Sequence, residues 1–286
     1  MSDISIFARL PFLNVNPGQP YKFGTPIRRG HLMRVSSLIR GMQISDELGC
    51  KLNPTEGYEN DVCIYIKPHV QPGRDFKFEG KPYMDIIDGW ALGPLMVRHP
   101  EVPVIVISQF DKEVLSRILP NKIILIPQHH VNFEREVRNK NAVVNVGVVG
   151  TAGAFPFIPG ALKDGLEKRG MKLLEFSKFD TRRGIQDFYK ELYVQLVWRP
   201  YKKNLANPLK LVNGASFGVP TIALEEESFK ELNGYYLPVH TLDEFFEKLD
   251  LLRKDPYLYE DYSNRCLAKS EEYHISNIAK LYRQLG

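Results

Sequence analysis

Short apolar runs rich in β-branched residues alternate along the chain with stretches in which apolar positions recur every three or four residues. The runs predict strands at Ile4–Ala8, Asp61–Ile66, Met84–Ile87, Val104–Ser108 and Lys122–Ile126. A second series follows at Val143–Val149, Lys172–Phe176, Tyr193–Trp198, Pro220–Ala223 and Tyr235–Pro238. Most are continuously apolar rather than alternating. Strands covered on both faces look like that, and such strands belong to parallel sheets. Helical stretches between them give the βαβ pattern. In Arg28–Leu48, Leu32, Val35, Ile39 and Met42 form an amphipathic stripe, and Gly49 stands where a helix would stop. Thr241 to Glu244 reads as a capping box before Phe245, Phe246 and Leu249, and Pro256 ends that helix.

The polar segment Val131–Ala142 separates the two series and predicts a linker. Domains of 1–135 and 136–286 follow, each the size of one Rossmann-like unit. The expected fold class is therefore α/β, with two Rossmann-like domains facing a cleft.

Composition narrows this picture. The chain has 286 residues, 43% hydrophobic and 25% charged, with a net charge of +4. That is the make-up of a folded protein long enough to bury a core without staples. Cys50, Cys63 and Cys266 are far apart and odd in number, which argues against a disulfide framework and for a reducing, cytoplasmic setting. The N-terminus predicts no signal peptide, and no apolar run approaches the ~20 residues needed to span a bilayer. Mild basicity permits an anionic partner without demanding one.

Two segments carry candidate chemistry. The first runs from a strand into Gly150-Thr-Ala-Gly153. A glycine turn after a parallel strand brings backbone N–H groups to a phosphate, and Thr151 adds a hydroxyl; a plain strand-to-helix turn has the same form. The second is Asn207–Leu224, in which a helix Pro208–Phe217 ends at Gly218 and a buried strand begins at Pro220. Lys210 and Asn213 share one face of that helix near its positive end, which suits a diphosphate and a ribose.

This string resembles the donor-binding segment of GT-B glycosyltransferases, K-P-x-x-K-L-x-N-A-x-x-x-G-x-P. Lys210, Leu211, Asn213, Ala215, Gly218 and Pro220 carry the resemblance, with the alanine displaced by one. Where the retaining enzymes of that group place an E-x7-E pair, this chain has Leu205 and Asn213. Phe188-Tyr189-Lys190 before YVQLVWRP, and KIILIPQHHVN, resemble further parts of the same fold. The resemblance implies a C-terminal donor domain, an N-terminal acceptor domain and a last helix that packs back on the N-terminal domain. It also implies transfer of a sugar from a nucleotide-sugar, UDP-sugar foremost, to an acceptor hydroxyl. The acceptor would be a saccharide or a modified nucleic-acid base such as hydroxymethylated phage DNA.

Within that frame Gly150, Thr151, Arg199, Lys210 and Asn213 are the candidate donor ligands, and Asp88 and His130 the candidate catalytic residues. Arg199 follows a strand end and could fork onto a phosphate; a surface ion pair is its other reading. Asp88 could serve as a base or as a helix cap, and adjacent His129 and His130 are as often structural as catalytic. Asp85 and Lys67 also end strands, and Asn14–Arg29 forms a long Gly/Pro-rich loop. Lacking a D-x-D string, the sequence predicts neither a catalytic metal nor a cofactor. A nucleotide-sugar epimerase of the same fold, or a non-catalytic nucleotide-sugar-binding protein, is the alternative.

Overall fold

A computed structural model describes residues 3–8, 36–68, 75–139, 144–150, 152–177, 179, 181–200, 205 and 207–286. Thr151, the Asn14–Arg29 loop and the start of the Arg28–Leu48 helix lie outside them. The chain divides into two compact units. Unit 1 holds Met1–Gln128, Asn204–Asn207 and Ile275–Gly286; unit 2 holds His129–Lys203 and Pro208–His274.

Unit 1 contains β1 (Ile4–Ala8), α1 (Ser36–Leu48), β2 (Lys51–Leu52), β3 (Val62–Ile66) and β4 (Lys81–Ile87). It continues with α2 (Gly93–Arg98), β5 (Val104–Val106), α3 (Gln109–Ile118) and β6 (Ile123–Leu125). Unit 2 contains β7 (Val146–Val149), α4 (Gly160–Glu167), β8 (Leu173–Phe176), α5 (Arg182–Lys190) and β9 (Val194–Val197). There follow α6 (Leu209–Ser216), β10 (Thr221–Leu224), β11 (Leu237–Val239), α7 (Leu242–Lys254) and α8 (Pro256–Ser270). The last helix, α9 (Ile275–Arg283), belongs to unit 1 and packs against α1.

Both sheets are wholly parallel. Their strand orders are β2-β1-β3-β4-β5-β6 and β11-β10-β9-β7-β8. All ten expected strands are present, and β2 is an addition too short to register as an apolar run. β3, β5, β7 and β9 are buried at every residue, as the continuous apolar runs implied. In each sheet the first strand has its second on one side and its third on the other. The winding reverses at β1/β3 in unit 1 and at β7/β9 in unit 2. Ligands of open α/β sheets bind beyond the carboxyl ends of the strands at such a reversal.

Three local findings differ from the pattern-based expectation. First, α1 turns Arg40, Gln43, Ile44 and Ser45 inward, while Ile39 and Met42 are only half-buried. Arg40 is fully buried because its Nε donates to Asp85 Oδ2 at 2.6 Å and its Nη atoms donate to the Ile126 and Pro127 carbonyls. Tyr282 of α9 donates to the same carboxylate oxygen at 3.0 Å. Burial works against the Arg40 charge, and Asp85 more than restores it, so its pKa stands above the ordinary value.

Second, the polar segment expected as a linker is built into unit 2 as far as Asn139. Arg138 N–H donates to the Phe217 carbonyl, Asn139 N–H to the Lys190 carbonyl, and the Asn132 side chain to the Ser216 carbonyl. Compact unit 2 accordingly begins at His129. Third, Thr241 caps α7 by accepting from Glu244 N–H, but the Glu244 carboxylate answers to His240 N–H, one residue earlier than in a standard box.

Candidate functional site

The carboxyl edge of the unit 2 sheet gathers most of the expected donor ligands. Gly150 directly follows β7, Arg199 lies two residues beyond β9, and α6 begins above the same edge after Pro208. Proline at the cap fits a helix start, where its missing N–H costs nothing. Lys210 sits in the first turn, and its Nζ lies 3.5 Å from where a Cβ on Gly150 would stand. A side chain at position 150 would come into contact with the ammonium, with Ala154 and with Phe155. The ammonium and the positive end of α6 thus reinforce each other at the switch point.

α6 is held there by its buried length. Leu211 through Ser216 are all buried, and the helix packs against α8. A Cβ on Gly214 would collide with Gln195 Oε1 of β9, so this close approach requires glycine. Gly218, at φ +69°, ends the segment in the left-handed region.

Asn213 is buried on the inner face of α6. Its Oδ1 accepts Val131 N–H at 3.0 Å, and its side chain also bonds the buried Tyr189 hydroxyl. Tyr189 in turn accepts from Gln195 Nε2 and stacks on Phe217 at 5.4 Å. Thr221 donates to Gln195 Oε1 and completes the network. Sharing a helix face with Lys210 in sequence therefore does not put Asn213 beside it in chemistry: one side chain meets the glycine turn, the other fastens the 131 loop.

His130 is anchored by the same loop. Its Nδ1 accepts Asn132 N–H at 3.2 Å, its backbone N–H donates to the Tyr273 carbonyl, and its ring meets His274 edge-on at 5.5 Å. Burial, reinforced by the neighbouring His274, pushes its pKa down to about 3, so the imidazole is neutral at physiological pH. His129 is buried as well, beside Phe133.

Arg199 is already forked. Its Nε donates to Glu226 Oε1 at 2.7 Å and its Nη2 to Oε2, with the Phe229 ring 5.9 Å from the guanidinium. Glu226 lies two residues beyond β10 and was not singled out from the sequence. The signal was present: Glu225-Glu226-Glu227 directly follows a buried strand, at the ligand-binding edge of the sheet.

In unit 1 the corresponding edge carries Asp88, ion-paired to Lys67, each just past the end of its strand and at the surface. Lys67 and Ile87 have φ of 44° and 54°. The left-handed region costs a β-branched residue about 1–3 kcal/mol, and such strain concentrates at functional edges. Asp85, also singled out from the sequence, is fully buried on Arg40. Among the described residues no group of three or more His, Cys, Asp or Glu is placed to hold a metal. Nor is any helix there long and apolar enough to cross a membrane.

No family model and no curated protein sequence matches the chain. Solved structures do. The crystal structure of Anabaena HepE in complex with UDP and glucose aligns over 99% of each chain, at 8% identity and a TM-score of 0.58. An α-glucosyltransferase in complex with UDP and a 13-mer DNA containing an HMU base aligns over 99% of this chain and 98% of its own, at 9% identity and the same TM-score.

The chain has the GT-B fold. The GtfA/B complex is similar at 15% identity and a TM-score of 0.52, over 79% of this chain. There the chain spans only 56% of its counterpart. At such identities the likeness fixes the backbone plan and leaves the side-chain chemistry to this chain's own residues.

Proposed function

We propose that this protein is a glycosyltransferase that moves a sugar from a nucleoside diphosphate sugar to an acceptor hydroxyl. The observation that carries the reading is the meeting of the Gly150 turn, the Lys210 ammonium and the N-terminal end of α6 at the switch point of the unit 2 sheet. As the bond from sugar to diphosphate breaks, the leaving oxygen gains negative charge. A fixed ammonium and a helix end stabilise that charge without reorganising. Two neighbours of the same fold and nearly the same length hold UDP, which supports UDP as the nucleotide; HepE also holds glucose, which supports a hexosyl group.

In this reading Asp88 of unit 1 takes the proton from the acceptor hydroxyl, its pair with Lys67 opening as the acceptor enters. His130, neutral and buried, acts as a positioning residue for the 129–139 loop. The acceptor is a saccharide or, as in the DNA complex of the α-glucosyltransferase, a nucleic-acid base. No divalent ion is assigned a step, because Lys210 and α6 already meet the leaving charge.

The test is a melting-temperature screen against UDP-, GDP-, ADP- and dTDP-sugars, followed by mass analysis of the products, with and without EDTA. A ligand at 100 times its Kd adds about 2.7 kcal/mol of stability. The expected result is stabilisation by a UDP-sugar and a sugar-modified acceptor whose formation survives EDTA. Melting unchanged by every donor would end the donor-site reading, and an epimerised donor without transfer would end the transferase.

A further inference from the structure

Resting on the donor-site reading above, we infer that Leu205 is a positioning residue for Lys210: by burying itself in the unit 1 core it fixes the segment that leads into α6, and so couples diphosphate binding to the packing of unit 1. The chain leaves unit 2 after Lys203, enters unit 1 for Asn204–Asn207 and returns at Pro208. Leu205 and Asn207 are the described residues of that short visit, and each is fastened within unit 1. Leu205 is 3% exposed and belongs to the core cluster of Met84, Ile86, Leu95, Val104 and Leu115. Asn207 Nδ2 donates to Oε1 of the buried Gln128 at 3.2 Å. Gln128 is itself the residue at which the chain first passes into unit 2.

Connecting segments ordinarily run over the surface. A leucine that leaves such a segment for a core gives up conformational freedom, and the removal of its apolar surface from water stabilises it there. Where the resembled donor segment carries the first glutamate of its E-x7-E pair, this chain thus spends the position on unit 1 rather than on a ligand.

The place of this anchor in the chain gives it a role at the donor site. Pro208 caps α6, and Lys210 lies in the first turn directly after it. The body of the helix, Leu211 through Ser216, is held by burial in unit 2. Leu209 and Lys210 are only half-buried. Their turn spans the short stretch between a helix body fixed in unit 2 and a leading segment whose Leu205 and Asn207 are fixed in unit 1. Holding that segment holds the Lys210 ammonium beside Gly150 before any ligand arrives, and a preordered cation loses little freedom on binding. Coupling of this kind is reciprocal: a seat that improves diphosphate binding is itself tightened when the diphosphate binds.

The experiment is amide hydrogen exchange of the intact protein with and without UDP, together with calorimetric titration of UDP. The proteins are the parent, Leu205→Ala, Leu205→Met and Leu115→Ala; the last hollows the same core from α3 without touching the segment before α6. In the parent, UDP should slow exchange around Gly150 and α6 and also in β4 and β5 of unit 1. In Leu205→Ala, UDP affinity should fall by about 5-fold or more, the lower end of coupling between sites. Its UDP-driven protection of β4 and β5 should vanish while that around Gly150 persists. Leu205→Met, of nearly the same volume, should restore both. Leu115→Ala should bind UDP as the parent does and keep the protection. If Leu205→Ala does not fold, Leu205→Val is read in its place. Unchanged UDP affinity in the position 205 variant overturns the inference, and so does an equal loss in Leu115→Ala, which would show a general loosening of the core. A parent whose β4 and β5 gain no protection, or protection there that survives the loss of Leu205, overturns it too. If UDP slows no exchange around Gly150 and α6 in the parent, the donor-site reading itself falls, which separates the two failures.

Discussion

The two units wind their sheets the same way yet finish the ligand edge differently. In unit 2 the edge is braced from beneath: Tyr189, Gln195, Thr221 and Asn213 form a buried polar network, and α6 lies against it through Gly214. Lys210 in the first turn of α6 and the Arg199–Glu226 pair past β9 and β10 lie along that edge. In unit 1 the buried polar cluster, Arg40–Asp85–Tyr282, holds α1, β4 and α9 together, while the edge carries the surface pair Lys67–Asp88 beside strained backbone. In the proposed reading unit 2 takes the nucleotide, which rewards a fixed site because satisfied buried networks hold side chains in one place. The unit 1 edge, read there as the acceptor side, keeps its polar pair near water. The shared winding says where each site lies; only the side chains say what it does.

The comparison breaks most sharply at Asp88. Asp88→Asn should lower turnover by about 10²–10⁴-fold, the range for a lost general base, and leave donor affinity unchanged. Steady-state rates with donor titrations check this; a matched loss in donor binding would move Asp88 out of the acceptor unit's chemistry.

Arg40→Ala should destabilise unit 1 by about 3–5 kcal/mol, because it leaves Asp85 charged and buried without its partner. Chemical denaturation reads it directly. A loss below about 1 kcal/mol would mean the cluster is not what fastens α9.

Lys210→Ala should weaken the donor by about 10- to 150-fold, the worth of one charge-assisted hydrogen bond. The unfolding midpoint should move far less than donor affinity, since Lys210 is only half-buried in the first turn of α6. An unchanged donor Kd would sink the phosphate role.

Asn213→Ala has the smallest expected effect, about 1–3 kcal/mol, and it should appear in the stability of unit 2, where Val131 N–H is left without its acceptor. If instead donor affinity fell with stability intact, Asn213 would belong to the ribose after all, and the contrast between a braced floor and a ligand surface would need redrawing.

The chain pattern alone determined the two-series α/β plan. Continuous apolar runs exist only where both faces of a strand are covered, and that requirement is local enough to show in ten residues at a time. It likewise placed Gly150 and Lys210, because a glycine turn and a helix start are local events. The partners of the polar residues were beyond it. Arg40 reads as the solvent side of a helix until Asp85, 45 residues away, and Tyr282 close around it. Asn213 reads as a ligand until Val131, 82 residues back, takes its oxygen, and Arg199 reads equally as a phosphate fork or an ion pair until the fold sets Glu226 against it. Backbone periodicity is written within a few residues, whereas the satisfaction of a buried polar group depends on which distant segment the fold sets beside it.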